Sequence, residues 1–162
     1  MNGPAPMDEP EHGLPEGLSV LNESGFDLPL GDDELERIAA VVFEREGMAG
    51  AAIELVYVDE AEMLELNRKH RGGEYVTDSL AFPYHEGPDA PVEGTLVQCA
   101  QRIAEQAVEF EQPLRVEFAR LLIHGLLHLA GHEDETPEEK QRMTQLEDTY
   151  LSLAGYGTDS SG

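Results

Sequence analysis

Residues 113–130, PLRVEFARLLIHGLLHLA, constrain this chain more than any other stretch. After Arg120 the segment is apolar nearly all round, and a helix without a polar face belongs in an interior rather than on a surface. Pro113 suits its first turn, and Gly131 stands where a left-handed C-cap is favoured. The rest of the chain must therefore cover this helix on every side. Inside it lie His124 and His128, four residues apart, a spacing that puts both imidazoles on one helical face.

The flanking sequence supplies that cover. GLSVLNE reads as a short first strand, and GDDELERIAAVVFEREG as a helix capped by Asp32 or Asp33, with Leu35, Ile38, Ala39 and Val42 as its apolar stripe. AAIELVYV alternates and is rich in β-formers, which predicts a strand. DEAEMLELNRKH follows as a helix in which Asp59 and Glu62 have capping-box spacing. After a Gly-Gly turn, TDSLAFPY and EGTLVQCA read as two more strands, and QRIAEQAVEFEQ as a helix. TPEEKQRMTQLEDTYLSLAG, with Pro137 near its start, forms the last helix. The order implies an α+β single domain: a small, mostly four-stranded mixed sheet packed against about five helices, the central buried one carrying the two histidines.

That domain is expected over residues 17–155. Residues 1–16, rich in Pro, Gly and acids, read as a disordered tail, and 156–162 as a flexible C-terminus. The opening residues carry neither a basic n-region nor an apolar h-region, and no apolar run approaches the ~20 residues of a membrane span, so a cytoplasmic, membrane-free protein is expected. Cys99 is the sole cysteine, which excludes an internal disulfide and a cysteine-based zinc cluster. Ten Lys and Arg stand against thirty-four Asp and Glu, for a formal charge of −24. Only Lys69 and Lys140 are lysines, and an acidic, lysine-poor surface is the composition of a protein adapted to concentrated salt.

The stretch HGLLHLAGHED, residues 124–134, then raises a question of metal chemistry. Two imidazoles four apart on a helix can share one ion, and a zinc ion that activates water needs three protein ligands and an open position. The third ligand must come from beyond the helix, and Gly131 lets the chain turn back. The spacing resembles the metzincin pattern HExxHxxGxxH, whose third ligand lies ten residues after the first; here that position is Asp134. His132, directly after the turn, is the alternative third ligand. A metalloprotease needs a glutamate base after the first histidine, and Gly125 occupies that place. Glu133 and Glu135 flank Asp134 and read as solvated acids before they read as a proton relay.

HGLLHLAG closely matches the HGxLHLxG signature of the YbeY family, single-domain, metal-dependent endoribonucleases of bacterial ribosomal RNA maturation. LNRKHRGGEYVTDSLAFP, residues 66–83, is similar to that family's LNxxYRGxxxxTDVLSFP block, and the resemblance covers nearly all of 17–155. Family members hold zinc with HxxxHxxxxxH. His124 and His128 match the first two histidines, and Asp134 stands in place of the third. Two histidines and one acid are a competent zinc set, although a carboxylate makes other hard divalent ions more competitive. The resemblance therefore implies one Zn2+ or a related ion per chain.

Arg71 aligns with the arginine implicated in catalysis, where a guanidinium can hold a scissile phosphate by two points and stabilise its growing charge. Arg68, Lys69, His70 and Arg71 form the implied RNA-binding cluster, with His70 in place of the usual tyrosine. Thr77 and Asp78 are expected to fix the turn into the next strand, and Phe82 and Pro83 to be core and strand end. Thr95 replaces an acid that the family usually carries. Arg115 and Arg120 read equally as basic lining or as helix-face ion pairs. The implied activity is single-strand-specific RNA cleavage near the 3′ end of the small-subunit rRNA precursor, in ribosome quality control and maturation. The implied partners are precursor rRNA and the small ribosomal subunit. The competing reading is a ribosome assembly factor with a purely structural metal. A charge of −24 opposes non-specific RNA affinity, but in molar salt the Debye length is only ~3 Å and distant acids are screened.

Overall fold

The computed structural model describes residues 15–84 and 89–157, which form four strands and five helices. In chain order these are β1 (Gly17–Asn22), α1 (Asp32–Arg45), β2 (Ala52–Val58), α2 (Glu60–Arg71), β3 (Ser79–Pro83), β4 (Glu93–Cys99), α3 (Ala100–Glu109), α4 (Leu114–Leu129) and α5 (Pro137–Leu153). The sheet has the order β1-β2-β4-β3. β1, β2 and β4 run parallel, and β3 closes one edge antiparallel to β4. The expected mixed four-stranded α+β architecture is what the chain adopts.

Alternation along the strands sends side chains to two unequal cores. Ile53, Leu55, Tyr57 and Leu96 face the larger one, shared with α1, α3, α4 and α5. Val56, Val58, Val97 and Cys99 face a smaller cluster covered by Met63 and Leu66 of α2, with Leu80 of β3. α4 is the central element of the larger core, where Leu122, Ile123, Leu126 and Leu127 are completely buried. Truncating any of these to alanine is expected to cost ~2–5 kcal/mol through lost transfer energy and the cavity left behind.

Gly125 explains how closely α4 approaches the sheet. A Cβ there would lie 2.9 Å from Leu96 Cδ1 and 3.3 Å from Gln98 Nε2. Leu96 is itself fully buried, so it has little room to withdraw. The absent side chain thus serves close packing, besides removing the glutamate base of a protease.

Helix ends follow local chemistry, with three departures from the sequence reading. α1 is capped at Gly31, not by Asp32 or Asp33, and Glu34 reaches back to accept from the Gly31 N–H at 3.2 Å. Pro113 occupies the N-cap of α4 rather than its first turn. Residues 158–162 and 1–14 lie outside the described residues, but the expected flexible C-terminus starts too early. Tyr156 is buried in the larger core, flanked by Arg37 and Arg115, and its hydroxyl donates to Glu34. At α2 the Asp59 carboxylate accepts from Glu62 N–H at 2.9 Å, as the spacing implied.

The turn from α4 to α5 is tied at both ends. Gly131 adopts φ 107°, and the N–H groups of Gly131 and His132 donate to the carbonyls of His128 and Leu127, each at 3.0 Å. This is the paired closure of a Schellman motif. At the other end Thr136 and Glu139 form a reciprocal capping box, each bond 3.0 Å. Asp134 is held between these two anchors.

Candidate metal centre and the cleft around it

His124, His128 and Asp134 come together where α4 ends and the chain turns back. Each offers one ligand atom, and the three atoms lie within 4.8 Å of one another. The His128 and His124 Nε2 atoms are 3.1 Å apart, and Asp134 Oδ2 is 3.4 Å from the first and 3.6 Å from the second. All three side chains are partly exposed. Two imidazoles and a carboxylate converging on one point form a donor set that suits a zinc-like divalent ion.

His132 goes elsewhere. Its Nε2 lies 2.8 Å from Glu46 Oε1, and the Tyr150 hydroxyl donates to the other oxygen of the same carboxylate. Burial works against the Glu46 charge, but the hydrogen bonds from Tyr150 and His132 outweigh it and hold this carboxyl below its ordinary value. His132 thereby straps the turn to the end of α1, and it lines the cleft without joining the cluster.

The other face of His124 meets a residue that sequence reasoning missed. His124 Nδ1 lies 2.5 Å from Glu147 Oε2 on α5, and Arg120 donates to Glu147 Oε1 at 3.0 Å. A carboxylate can only accept, so the ring nitrogen is the donor. Burial opposes a charged His124, yet the Glu147 hydrogen bond and charge, with Asp78 and Asp134 adding to them, raise it above its ordinary value. A signal was available: Met143, Glu147, Tyr150 and Leu151 are the buried face of α5, so Glu147 is an acid set in an apolar stripe.

Arg71 and the cluster line one cleft of about 550 Å3, together with Tyr75, Asp78 and the flanking acids Glu133 and Glu135. Arg71 makes a single hydrogen bond, from Nη2 to the Ala81 carbonyl at 3.3 Å, and has no carboxylate partner among the described residues. That contrasts with Arg68, which pairs with Glu65 and Glu74. Arg68, Lys69 and His70 do not line this cleft. His70 packs edge-on against Phe82 at 5.4 Å, and its Nε2 is buried without a hydrogen-bond partner. Burial, with Lys69 and Arg71 nearby, keeps its pKa below the ordinary value. Of the four residues in the basic run, the structure brings Arg71 alone to the cluster.

Arg115 pairs with Glu34, and Arg120 with Glu147 and Asp148, so both are ion-paired rather than basic lining of this cleft. Asp78 accepts from Cys99 N–H through its carbonyl and from Gln106 through its carboxylate, as a turn-fixing residue should, and also lines the cleft. Thr95 is fully buried and shares a 2.7 Å hydrogen bond with the Tyr84 hydroxyl. It alternates with Gly94 and Leu96, which meet α4, so it points to the opposite face of the sheet from the histidines. An acid at this position would not touch the metal cluster. Tyr75 was also missed. The residue is 63% exposed and lines the cleft, while its carbonyl is anchored by the buried Asn67 side chain at 2.8 Å.

A helix-borne histidine pair, completed by an acid from the following turn and sharing a cleft with an arginine that has no carboxylate partner among the described residues, gives this α+β domain a possible metal-binding site. Comparison with known proteins narrows the class. Residues 27–155 match the family described as Endoribonuclease YbeY, and the chain belongs to that family. An Endoribonuclease YbeY of Chlorobium phaeovibrioides is 36% identical over 82% of this chain and 88% of its own length. One of Cupriavidus necator is 38% identical over 70% of this chain and 58% of its own. The solution structure of a Thermotoga maritima protein aligns with TM-score 0.57 and 29% identity, covering 84% of this chain and 90% of that one.

Proposed function

We propose that this chain is a metal-dependent endoribonuclease that cuts single-stranded RNA in ribosomal RNA processing, near the 3′ end of the small-subunit precursor. The observation that carries the reading is the shared cleft: three convergent donors and an arginine free of carboxylate partners among the described residues line the same space. Family membership supports the reaction class, since the relatives bear the name endoribonuclease.

His124, His128 and Asp134 would hold one divalent ion, zinc first among candidates. Such an ion, when bound, supplies an acidified water and a positive charge for a phosphate oxygen. The chain's own residues do the rest. Arg71 binds the scissile phosphate through its unused N–H donors and stabilises charge as it builds. Tyr75 offers an exposed ring on an anchored backbone, on which an unpaired base can stack. Glu133 and Glu135 line the cleft wall beside the cluster.

A purely structural ion is the weaker reading. Structural zinc sites close all four positions with protein ligands, whereas this cluster has three donors among the described residues and opens to a cleft. The acidic, lysine-poor surface fits work in the cytoplasm of a cell rich in salt, and no helix among the described residues is long and apolar enough to cross a membrane. The deciding experiment is cleavage of a single-stranded RNA at high salt. Cleavage should vanish with chelator, fall roughly 10²–10³-fold with Arg71→Ala, and return when metal is restored to the wild-type chain. Cleavage at the wild-type rate under both treatments refutes the proposal.

A further inference from the structure

We infer that Glu147, held in place by Arg120, is a positioning residue that presents His124 to the metal and sets how tightly the site binds. The inference rests on the metal reading above and goes beyond the three ligands. Glu147 and the cluster meet opposite nitrogens of one imidazole, Nδ1 on the buried side and Nε2 on the cleft side. A proton on Nδ1 leaves the Nε2 lone pair free for an ion, and a charged acceptor at Nδ1 makes Nε2 a stronger donor.

The surroundings show that this acid is built in rather than incidental. The Glu147 side chain is 9% exposed, and both of its oxygens are used: one by Arg120, the other by His124. A buried carboxylate without such partners would carry a large desolvation cost. Arg120 is fixed in turn by Asp148, one residue further along α5, at 3.1 Å. A cavity of about 190 Å3 behind the ring is lined by Asp78, Glu117, Arg120, Glu147 and His124. Glu117 leaves one oxygen buried and unpartnered there. Asp78 and Glu147 lie on the inner side of His124, with Arg120 the one base there among the described residues, and their charge favours a cation on the far side of the ring.

The alternative is that the Arg120–Glu147 pair only fastens α5 to α4. Two variants separate the roles. Glu147→Gln keeps an oxygen that can accept from His124 Nδ1 and leaves Arg120 its Asp148 partner, but removes the charge. Arg120→Met combined with Glu147→Leu replaces the buried pair with apolar groups of similar size, a change that is often neutral or stabilising for a fold. Zinc affinity of the full chain, measured by competition with a chromophoric chelator, should fall ~10-fold in the first variant and ~100-fold in the second, the range for loss of such support. Thermal unfolding of the metal-free chain should stay near wild type in both.

Zinc affinities within about twofold of wild type in both variants, well short of that range, overturn the inference and leave the metal site standing. A loss of affinity matched by a collapse of metal-free stability assigns the pair to fastening helices, and also overturns it. A wild-type chain that takes up no zinc refutes the metal reading and this inference together.

Discussion

Along α4, His124 and His128 ride among Leu122, Ile123, Leu126 and Leu127, all four of which are fully buried. At the end of α2, Arg71 is exposed, held by one bond to the Ala81 carbonyl and followed by Gly72 in the left-handed conformation. The two helices thus supply the two halves of one cleft on different physical terms. The histidine half is fixed by packing, by the tied turn that carries Asp134 and by Glu147 behind the ring. The arginine half is fixed by little beyond its helix end. Changes in the buried packing around the histidines should therefore disturb metal binding and fold together, changes at Glu147 metal binding alone, and changes in the second half function alone.

The largest expected effect lies in the turn. Asp134→Ala should abolish stoichiometric metal content and RNA cleavage, while His132→Ala should keep the metal and lose stability only, because it breaks the strap to Glu46. Metal analysis of the two purified variants checks this, and the opposite pattern would exchange the ligand roles. Next comes Arg71→Ala, for which kcat should fall roughly 10²–10³-fold, the scale for losing one donor to a developing oxyanion. Its unfolding midpoint should match wild type, and a large drop in that midpoint would break the contrast between the halves.

Arg68→Ala tests how far the arginine half extends. Its side chain is exposed and already paired, and surface pairs are worth ~0–1 kcal/mol, so RNA affinity by filter binding should change less than about fivefold. An effect as large as that of Arg71→Ala would move the RNA path toward Arg68. The smallest effect concerns Glu34, which lies away from the cleft. The Arg115 guanidinium, then the Gly31 N–H, hold its carboxyl down to about 2 from 4.5. A depressed carboxyl contributes stability above its unfolded value and loses it as pH falls, so the loss should run from about 4.5 to about 2. Glu34→Gln should remove that portion of the acid unfolding curve, and an unchanged curve would show that the ion pair carries no stability.

Some of the site was legible because it depends on near neighbours. The four-residue spacing of His124 and His128, the glycine turn at 131 and the capping residues around 136 are properties of one continuous segment. Asp134 could be named from register alone, because it follows the same turn. The competitor, His132, is one residue from that turn as well, and its rejection depends on Glu46, 86 positions away. The basic run 68–71 was visible as composition, but helical phase sends its members in different directions, and only packing of α2 on the sheet decides which one meets the cleft.

The sequence by itself determined the periodic and local facts: an all-apolar helix that must be central, two histidines on its one face, and a chain reversal just beyond. These follow from backbone geometry, which repeats every few residues. Packing across the chain decided that Glu147 and Arg120 stand behind His124, that Arg71 has no carboxylate partner among the described residues, and that Thr95 faces away from the histidines. Each depends on which elements pack together across the chain, and the partner of a side chain is settled by that packing rather than by its neighbours in sequence.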